Sequence, residues 1–497
     1  MTQNPYNPLE SEHAVVTSVP TVPKRILSSL LASVSAGVVP RAGAPYIAIG
    51  RKDEIAALLS DLETVADGGG SMRFLIGRYG SGKSFLLQLV RGYALEKGFV
   101  TADTDLTPER RLYGAGGSGV ATYRELMKNM ASKASPDGGA LPKIIARWIS
   151  GLQAALIGEG VLPNAPDFSA RLSAKIFLEL QEIEMMVGGF DFARVITGYY
   201  EAYTAGDEEK KSACIRWLRG EYATKTEART ALGFQVSEII SDDNWYDFLK
   251  LWAALVRTPA MGYRGLVVFI DECVNLYKIN HRVSRENNYE KILSMFNDTL
   301  QGRAPGLALV LGGTPQFLED TRRGLFSYEA LRSRLCDSRF ALEGFKNLIG
   351  PVIRLRRLSD DELFALIGRV TRLYAQNYAW EPRITEDEMV DFLKICLSRA
   401  GANSMITPRE MLRDYMTVLN ILMQNPNASF HDIVGSAVTL KTEEELLRES
   451  EEEALQERKA QKSSETTARE SSVQGYGEGD ASARSDKRLY TPDDIDF

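Results

Sequence analysis

The chain has 497 residues, 25% of them charged and 44% hydrophobic, with a formal net charge of −7 at neutral pH. Such a composition suits a globular protein and excludes a uniformly basic nucleic-acid binder, so any contact with DNA must come from a local patch. The four cysteines (Cys214, Cys273, Cys336, Cys396) lack paired spacing and only three histidines are present, which points away from a disulfide framework, a zinc site and imidazole chemistry.

The first predicted element follows an N-terminal extension over residues 1–24. Lys24-Arg25 before the run Ile26–Val39 has the order of an export signal, but it starts too far in and carries Ser28, Ser29, Ser33 and Ser35. Leu27, Leu30, Leu31 and Val34 share one helical face, so the segment reads as an amphipathic helix packed on the core of a cytoplasmic protein.

Met72–Ile76 is an apolar run with the character of a buried strand, and Phe85–Val90 has the apolar spacing of a helix. Between them stands Gly77-Arg78-Tyr79-Gly80-Ser81-Gly82-Lys83-Ser84, the pattern of a phosphate-binding loop (Walker A) in the context that such a loop requires. Gly77, Gly80 and Gly82 allow the backbone to curl into a nest of N–H donors, to which Ser81 belongs, and the following helix adds the positive end of its dipole. Lys83 then reaches the phosphates as a point charge and Ser84 ligates magnesium, which predicts ATP and Mg²⁺ as cofactors.

Phe99–Asp103 reads as a second strand. The stretch 110–260 that follows is rich in helical periodicity and too long for one crossover connection, so a mostly helical insertion is expected there. Gly265–Ile270 is a continuous apolar run, the pattern of a strand buried on both faces, and it ends in Asp271-Glu272 as a Walker B segment would. Carboxylates beside a buried strand must be paired or metal-bound. Asp271 suits the magnesium shell and Glu272 suits the base that orients and deprotonates a water; the plainer alternative is an acidic strand end that caps the next segment. Leu307–Leu311 is a further strand, after which Thr314 offers a hydroxyl at the carboxyl end, either to a γ phosphate and its attacking water or as a turn residue before Pro315.

Ser359-Asp360-Asp361-Glu362 and Thr407-Pro408-Arg409-Glu410 are capping boxes that open helices of a lid, with Arg409 in a first helical turn. After residue 440 the chain turns polar. Residues 441–497 carry 16 acidic and 9 basic side chains, so the remainder balances at 50 against 50. The tail has too little apolar material to fold alone. It closes in Tyr490 to Phe497, an acidic end finishing in an aromatic, which serves either to dock a partner or simply to keep the chain soluble.

The order of phosphate loop, acidic strand end, polar strand end and arginine-bearing segment resembles the AAA+ ATPases, in particular the initiator-like branch. The resemblance implies that Ile49-Gly50-Arg51-Lys52-Asp53-Glu54-Ile55 is the box against which adenine packs, that Arg334 within Leu331-Arg332-Ser333-Arg334-Leu335 is an arginine finger, and that Arg409 is a second sensor. No winged-helix segment is legible, a departure from the initiators. A narrower resemblance, carried by Gly37-Val38-Val39-Pro40, Phe74–Lys83, Gly262–Val268 and Gly312-Gly313-Thr314-Pro315, is to the BrxD-like ATP-binding proteins of BREX phage-defence islands. It implies an antiviral, DNA-linked role alongside helicases and other DNA-acting proteins.

The expected architecture is therefore α/β: an AAA+ core over 25–109 and 261–355, a parallel sheet flanked by helices, with the helical insertion at 110–260, a helical lid at 356–440 and a disordered acidic tail at 441–497. The expected function is ATP hydrolysis driving homo-oligomeric assembly with DNA or a helicase partner and no membrane. The alternative is a slow-hydrolysing switch that regulates partner proteins without touching DNA. Candidate DNA contacts are Arg322 and Arg323, and Arg354, Arg356 and Arg357, each also readable as part of a solvated face.

Overall fold

The computed structural model describes residues 22–114, 116–337, 347–398 and 407–434. Among these, five strands form one all-parallel sheet in the order β2-β3-β4-β1-β5: β1 (Ser71–Ile76), β2 (Val100–Asp105), β3 (Leu266–Asp271), β4 (Leu307–Gly313) and β5 (Val352–Arg354). Every residue of β3 and β4 is buried. Both are continuous apolar runs, and a parallel sheet has helices on both faces, so neither strand alternates apolar with polar positions.

The alternation appears instead in which core each side chain joins. Val267 and Phe269 of β3 and Ala308 and Val310 of β4 meet Leu86, Leu89 and Val90 of α3 (Lys83–Glu96) and Leu58 and Leu62 of α2 (Lys52–Ala66). Val268 and Ile270, with Leu309 and Leu311, face the opposite way into a core shared with the long helix that precedes β4.

Between β2 and β3 run α4 (Ser118–Lys128), α5 (Leu141–Gly158), α6 (Phe168–Glu184), α7 (Gly189–Ala205), α8 (Glu208–Leu218), α9 (Lys225–Leu232) and α10 (Trp245–Val256). Their apolar faces are rich in large aromatics. Trp217 and Phe248 meet edge to face at 5.5 Å between centroids and Phe192 and Trp252 at 5.2 Å, a geometry that adds about 0.5–1.5 kcal/mol per pair to the area buried. After β3 come α11 (Val274–Tyr277) and α12 (Arg282–Leu300), and after β4 come α13 (Pro315–Glu319) and α14 (Glu329–Leu335).

A separate apolar cluster joins the two ends of the described chain. Leu27, Leu30, Leu31 and Val34 of α1 (Lys24–Ser35) pack with buried residues of α15 (Asp360–Tyr378), α16 (Glu386–Ser398), α17 (Pro408–Gln424) and α18 (Phe430–Val434). The capping boxes at Ser359 and Thr407 are both formed, each hydroxyl accepting from the backbone N–H three residues on and each glutamate answering the cap's own N–H.

Candidate functional site

The loop between β1 and α3 shows why three glycines are needed. The Gly77 N–H donates to the Gly313 carbonyl at 3.0 Å, tying the loop to the end of β4. A Cβ on Gly77 would lie 2.3 Å from Ser81 Oγ, and one on Gly80 would lie 2.2 Å from Thr407 Cγ2 at the cap of α17. Gly80 and Gly82 also take φ of +71° and +87°, the left-handed region that only glycine adopts without strain. Ser81 Oγ is buried with no hydrogen-bond partner, an orphaned polar atom that fits a phosphate ligand.

Lys83 is buried at the start of α3. Its ammonium donates to the Gly77 carbonyl at 3.0 Å and the Arg78 carbonyl at 3.2 Å, with the ring of the exposed Tyr79 5.5 Å away. Burial lowers its pKa, and the nearby Asp271 and Glu272 offset part of that.

Asp271 closes β3 beside this loop. Its Oδ2 accepts from Ser84 Oγ at 2.6 Å and its Oδ1 from the Glu272 N–H at 2.8 Å. Gly312, alongside on β4, leaves the space that this carboxylate occupies, because a Cβ there would lie 2.3 Å from Oδ1. Glu272 sits at φ +55°, a conformation that costs a non-glycine residue about 1–3 kcal/mol and is concentrated at functional sites. Its neighbour Cys273 is pinned by an N–H bond to the Gly312 carbonyl at 3.0 Å. The Glu272 carboxyl is pushed above the usual carboxylate range, first by burial and then by Asp271. Asp105, which the sequence reading passed over, lies opposite Asp271 in the β2–β3 register, and its carboxyl is raised first by desolvation in the cleft and then by Asp271 and Asp103. The signal for it was the alternation Thr101-Ala102-Asp103-Thr104-Asp105, which carries the strand two residues past Asp103.

These groups line a cleft of about 300 Å³: Ser84, Asp105, Asp271 and Glu272 border it together with Arg41 and Arg409. Its donors are hard oxygens, the ligand type that magnesium takes, and the Ser84–Asp271 pair suits one metal edge. Among the described residues no group of three or more His, Cys, Asp or Glu side chains forms a metal cage. Magnesium does not need one, since it keeps waters and shares phosphate oxygens.

The other sequence-predicted residues are less uniformly gathered. Thr314 is buried and its Oγ1 accepts from the Phe317 N–H at 3.3 Å, capping α13. Ile49 packs against the helical cluster of α1 and α15 to α18. Gly50, at φ +72°, backs onto Glu362, whose carboxylate a Cβ would meet at 2.4 Å. Arg51 is buried and donates to the Ser81 carbonyl at 2.9 Å and the Arg356 carbonyl at 2.7 Å, which makes it a strut between the loop and the segment entering α15. Arg334 is exposed on α14, donating to Asn297 Oδ1 at 3.2 Å and the Ala330 carbonyl at 2.7 Å. Of the basic residues considered for DNA, Arg323 donates to the Tyr277 and Ile279 carbonyls, Arg354 pairs with Glu319 and Asp337, and Arg356 pairs with Glu362. Arg322 remains exposed. The acidic C-terminal segment ending in Phe497 lies outside the described residues.

No described helix is long and apolar enough to cross a membrane. A search of curated proteins finds no match to the chain. A family model for BREX system ATP-binding proteins, BrxC/D, matches residues 22–438, spanning the glycine-rich loop, the helices between β2 and β3, and the C-terminal helical cluster. With most of its length matched in this way, the chain belongs to the BrxC/D family of BREX system ATP-binding proteins.

Proposed function

We propose that this ATP-binding defence protein is an AAA+-class ATPase of the cytoplasm that acts through a nucleotide-driven assembly with a DNA-acting partner protein. The observation that carries hydrolysis is the Ser84–Asp271 hydrogen bond with Glu272 next in the chain, because it joins a metal-binding hydroxyl, a metal-shell carboxylate and a base at one strand end. Magnesium held by Ser84 and Asp271 would supply charge neutralisation to the phosphates. Lys83 leaves its loop carbonyls for the phosphate oxygens, which the N–H groups of Gly77 to Ser84 surround. Glu272 orients a water whose oxygen bonds to the γ phosphorus as the bond to the β–γ bridging oxygen breaks; the water's proton goes to the Glu272 carboxylate, and ADP leaves. Thr314 supports the carboxyl end of β4, Arg409 faces the phosphates, Ile49, Gly50 and Arg51 border the base side, and Arg334 serves a neighbouring subunit's site. In this reading residues 25–109 and 261–355 are the ATPase core, 110–260 the insertion and 356–440 the lid.

The partner reading rests on the tip of the α6–α7 hairpin. Met185, Val187 and Phe190 are exposed there, Met185 at 87%, and Phe177 and Leu178 are exposed further back along α6. Between Lys175 and Arg194 the chain has no cation and carries Glu179, Glu182 and Glu184, while Asp191 is buried and accepts from the Ser237 and Glu238 N–H groups. An acidic apolar knob repels a phosphate backbone and suits a protein surface. The slow-switch reading, without DNA contact, is favoured by the internal engagement of Arg323, Arg354 and Arg356. ATP turnover by the full chain, measured alone and with duplex DNA at two salt concentrations, decides between the readings. Turnover that DNA stimulates and salt weakens supports the DNA-directed assembly; slow turnover indifferent to DNA supports the switch, and none at all ends the ATPase reading.

A further inference from the structure

Arg41 and Arg409 both border the cleft that holds Ser84, Asp271 and Glu272, and among the described residues neither guanidinium has a hydrogen-bond or ion-pair partner. Only Arg409 is legible as a site residue in the sequence. Arg41 lies between α1 and the short 3₁₀ turn Ala44–Ile47, and Val39, just before it, lines the same cleft. The segment is anchored beside α17: an added Cβ on Gly37 would lie 3.7 Å from Arg409 Cγ. One helical body therefore carries both cations to the cleft.

We infer that Arg41 is a phosphate-binding residue that contacts the terminal phosphate of ATP, an assignment that rests on the nucleotide-site reading above. The cleft's carboxylates do not hold Arg41 in a structural pair. Asp103 is taken by Arg91 at 2.8 Å, and Asp271 is taken by Ser84 and the Glu272 N–H. Arg51, Arg73, Arg354 and Arg356, by contrast, are engaged internally. An exposed, unpartnered arginine bordering a cleft that also offers a buried lysine nearby and a metal-type oxygen pair fits a polyanion with a magnesium ion. The planar fork matches phosphate oxygens better than an ammonium does. The cleft opens on the Ser84–Asp271 side of the loop, where the metal-linked end of the triphosphate belongs. ADP lacks the outermost phosphate, so Arg41 distinguishes ATP from ADP and draws the segment after α1 onto the nucleotide only in the ATP state.

The test is titration of the full chain with Mg-ADP and with a Mg-bound non-hydrolysable ATP analogue, for wild type, Arg41→Ala, Arg41→Lys and Arg25→Ala. Arg25 is an exposed arginine on the neighbouring helix α1 and controls for loss of charge. Arg41→Ala is expected to weaken the ATP analogue about tenfold or more and ADP about twofold or less, with Arg41→Lys between and Arg25→Ala like wild type. Unfolding temperatures check that Arg41→Ala still folds, and Arg41→Lys carries the test if it does not. Equal losses for both nucleotides, or an Arg41→Ala protein that matches wild type, would overturn the assignment of Arg41 while leaving the site reading intact. Failure of wild type to bind either nucleotide would overturn both.

Discussion

At the residue scale, the proposed mechanism gives each polar group around Asp271 a distinct task, and substitutions should separate them. Lys83→Ala removes the buried cation and is expected to weaken ATP binding about 10²-fold or more, whereas Glu272→Gln keeps the shape of the side chain and loses the base. The second variant should bind ATP as wild type does and turn it over about 10²–10⁴-fold more slowly; equilibrium binding and single-turnover rates measure the two effects, and a Glu272→Gln protein with wild-type turnover would remove Glu272 from the mechanism. The pH profile follows from the same residue. Burial and Asp271 raise the Glu272 pKa above its usual 4.5, so the active carboxylate is lost at a higher pH than a solvated glutamate would be as the solution is acidified. The acid limb of the wild-type rate should therefore lie above the ordinary carboxylate range and be missing from the residual rate of Glu272→Gln.

At the element scale, the site is built where strand ends meet neighbouring backbones, so small residues matter as much as charged ones. Gly312→Ala places a methyl 2.3 Å from where Asp271 Oδ1 now sits, within an ordinary strand conformation, so the effect is steric rather than torsional. Overpacking of this kind costs about 1–3 kcal/mol. It should turn the carboxylate away from Ser84, raising the magnesium concentration for half-maximal turnover while leaving the sheet folded. A magnesium titration alongside thermal melting reads both. The Arg51 strut shows a second principle of the same scale: the loop is held from below by a buried guanidinium that also reaches the Arg356 carbonyl, which in turn precedes the Arg356–Glu362 pair at the start of α15. Hydrogen bonds thereby link the segment entering α15 to the loop.

At the scale of the whole molecule, the position of Arg334 bears on assembly. It projects from α14 on the surface and its partners among the described residues are Asn297 and the Ala330 carbonyl of its own helix, weak restraints that a phosphate can replace. If it completes a neighbour's site, Arg334→Ala subunits lose turnover by about 10³–10⁵-fold, and mixing them with Lys83→Ala subunits should restore a measurable fraction. Absence of rescue, together with a monomeric mass in the presence of ATP, would rule this arrangement out.

The sequence by itself determined the local chemistry of the chain. The glycine-rich loop, the apolar strand ending in Asp271-Glu272, the amphipathic stripe of α1 and the capping boxes at Ser359 and Thr407 are all written in near neighbours, where steric freedom, helix periodicity and backbone donors act over a few residues. The all-parallel sheet was legible too, since β3 and β4 are apolar throughout and long segments intervene between strands. What only the tertiary structure decided is which distant residues converge. Asp105 faces Asp271 because of the β2–β3 register across a long helical connection, Arg51, expected in the adenine box, braces the Ser81 carbonyl, and Arg41 reaches the cleft because α1 packs on helices from the far end of the described chain. Packing between segments hundreds of residues apart depends on the sum of many weak apolar contacts, and no local pattern encodes that sum.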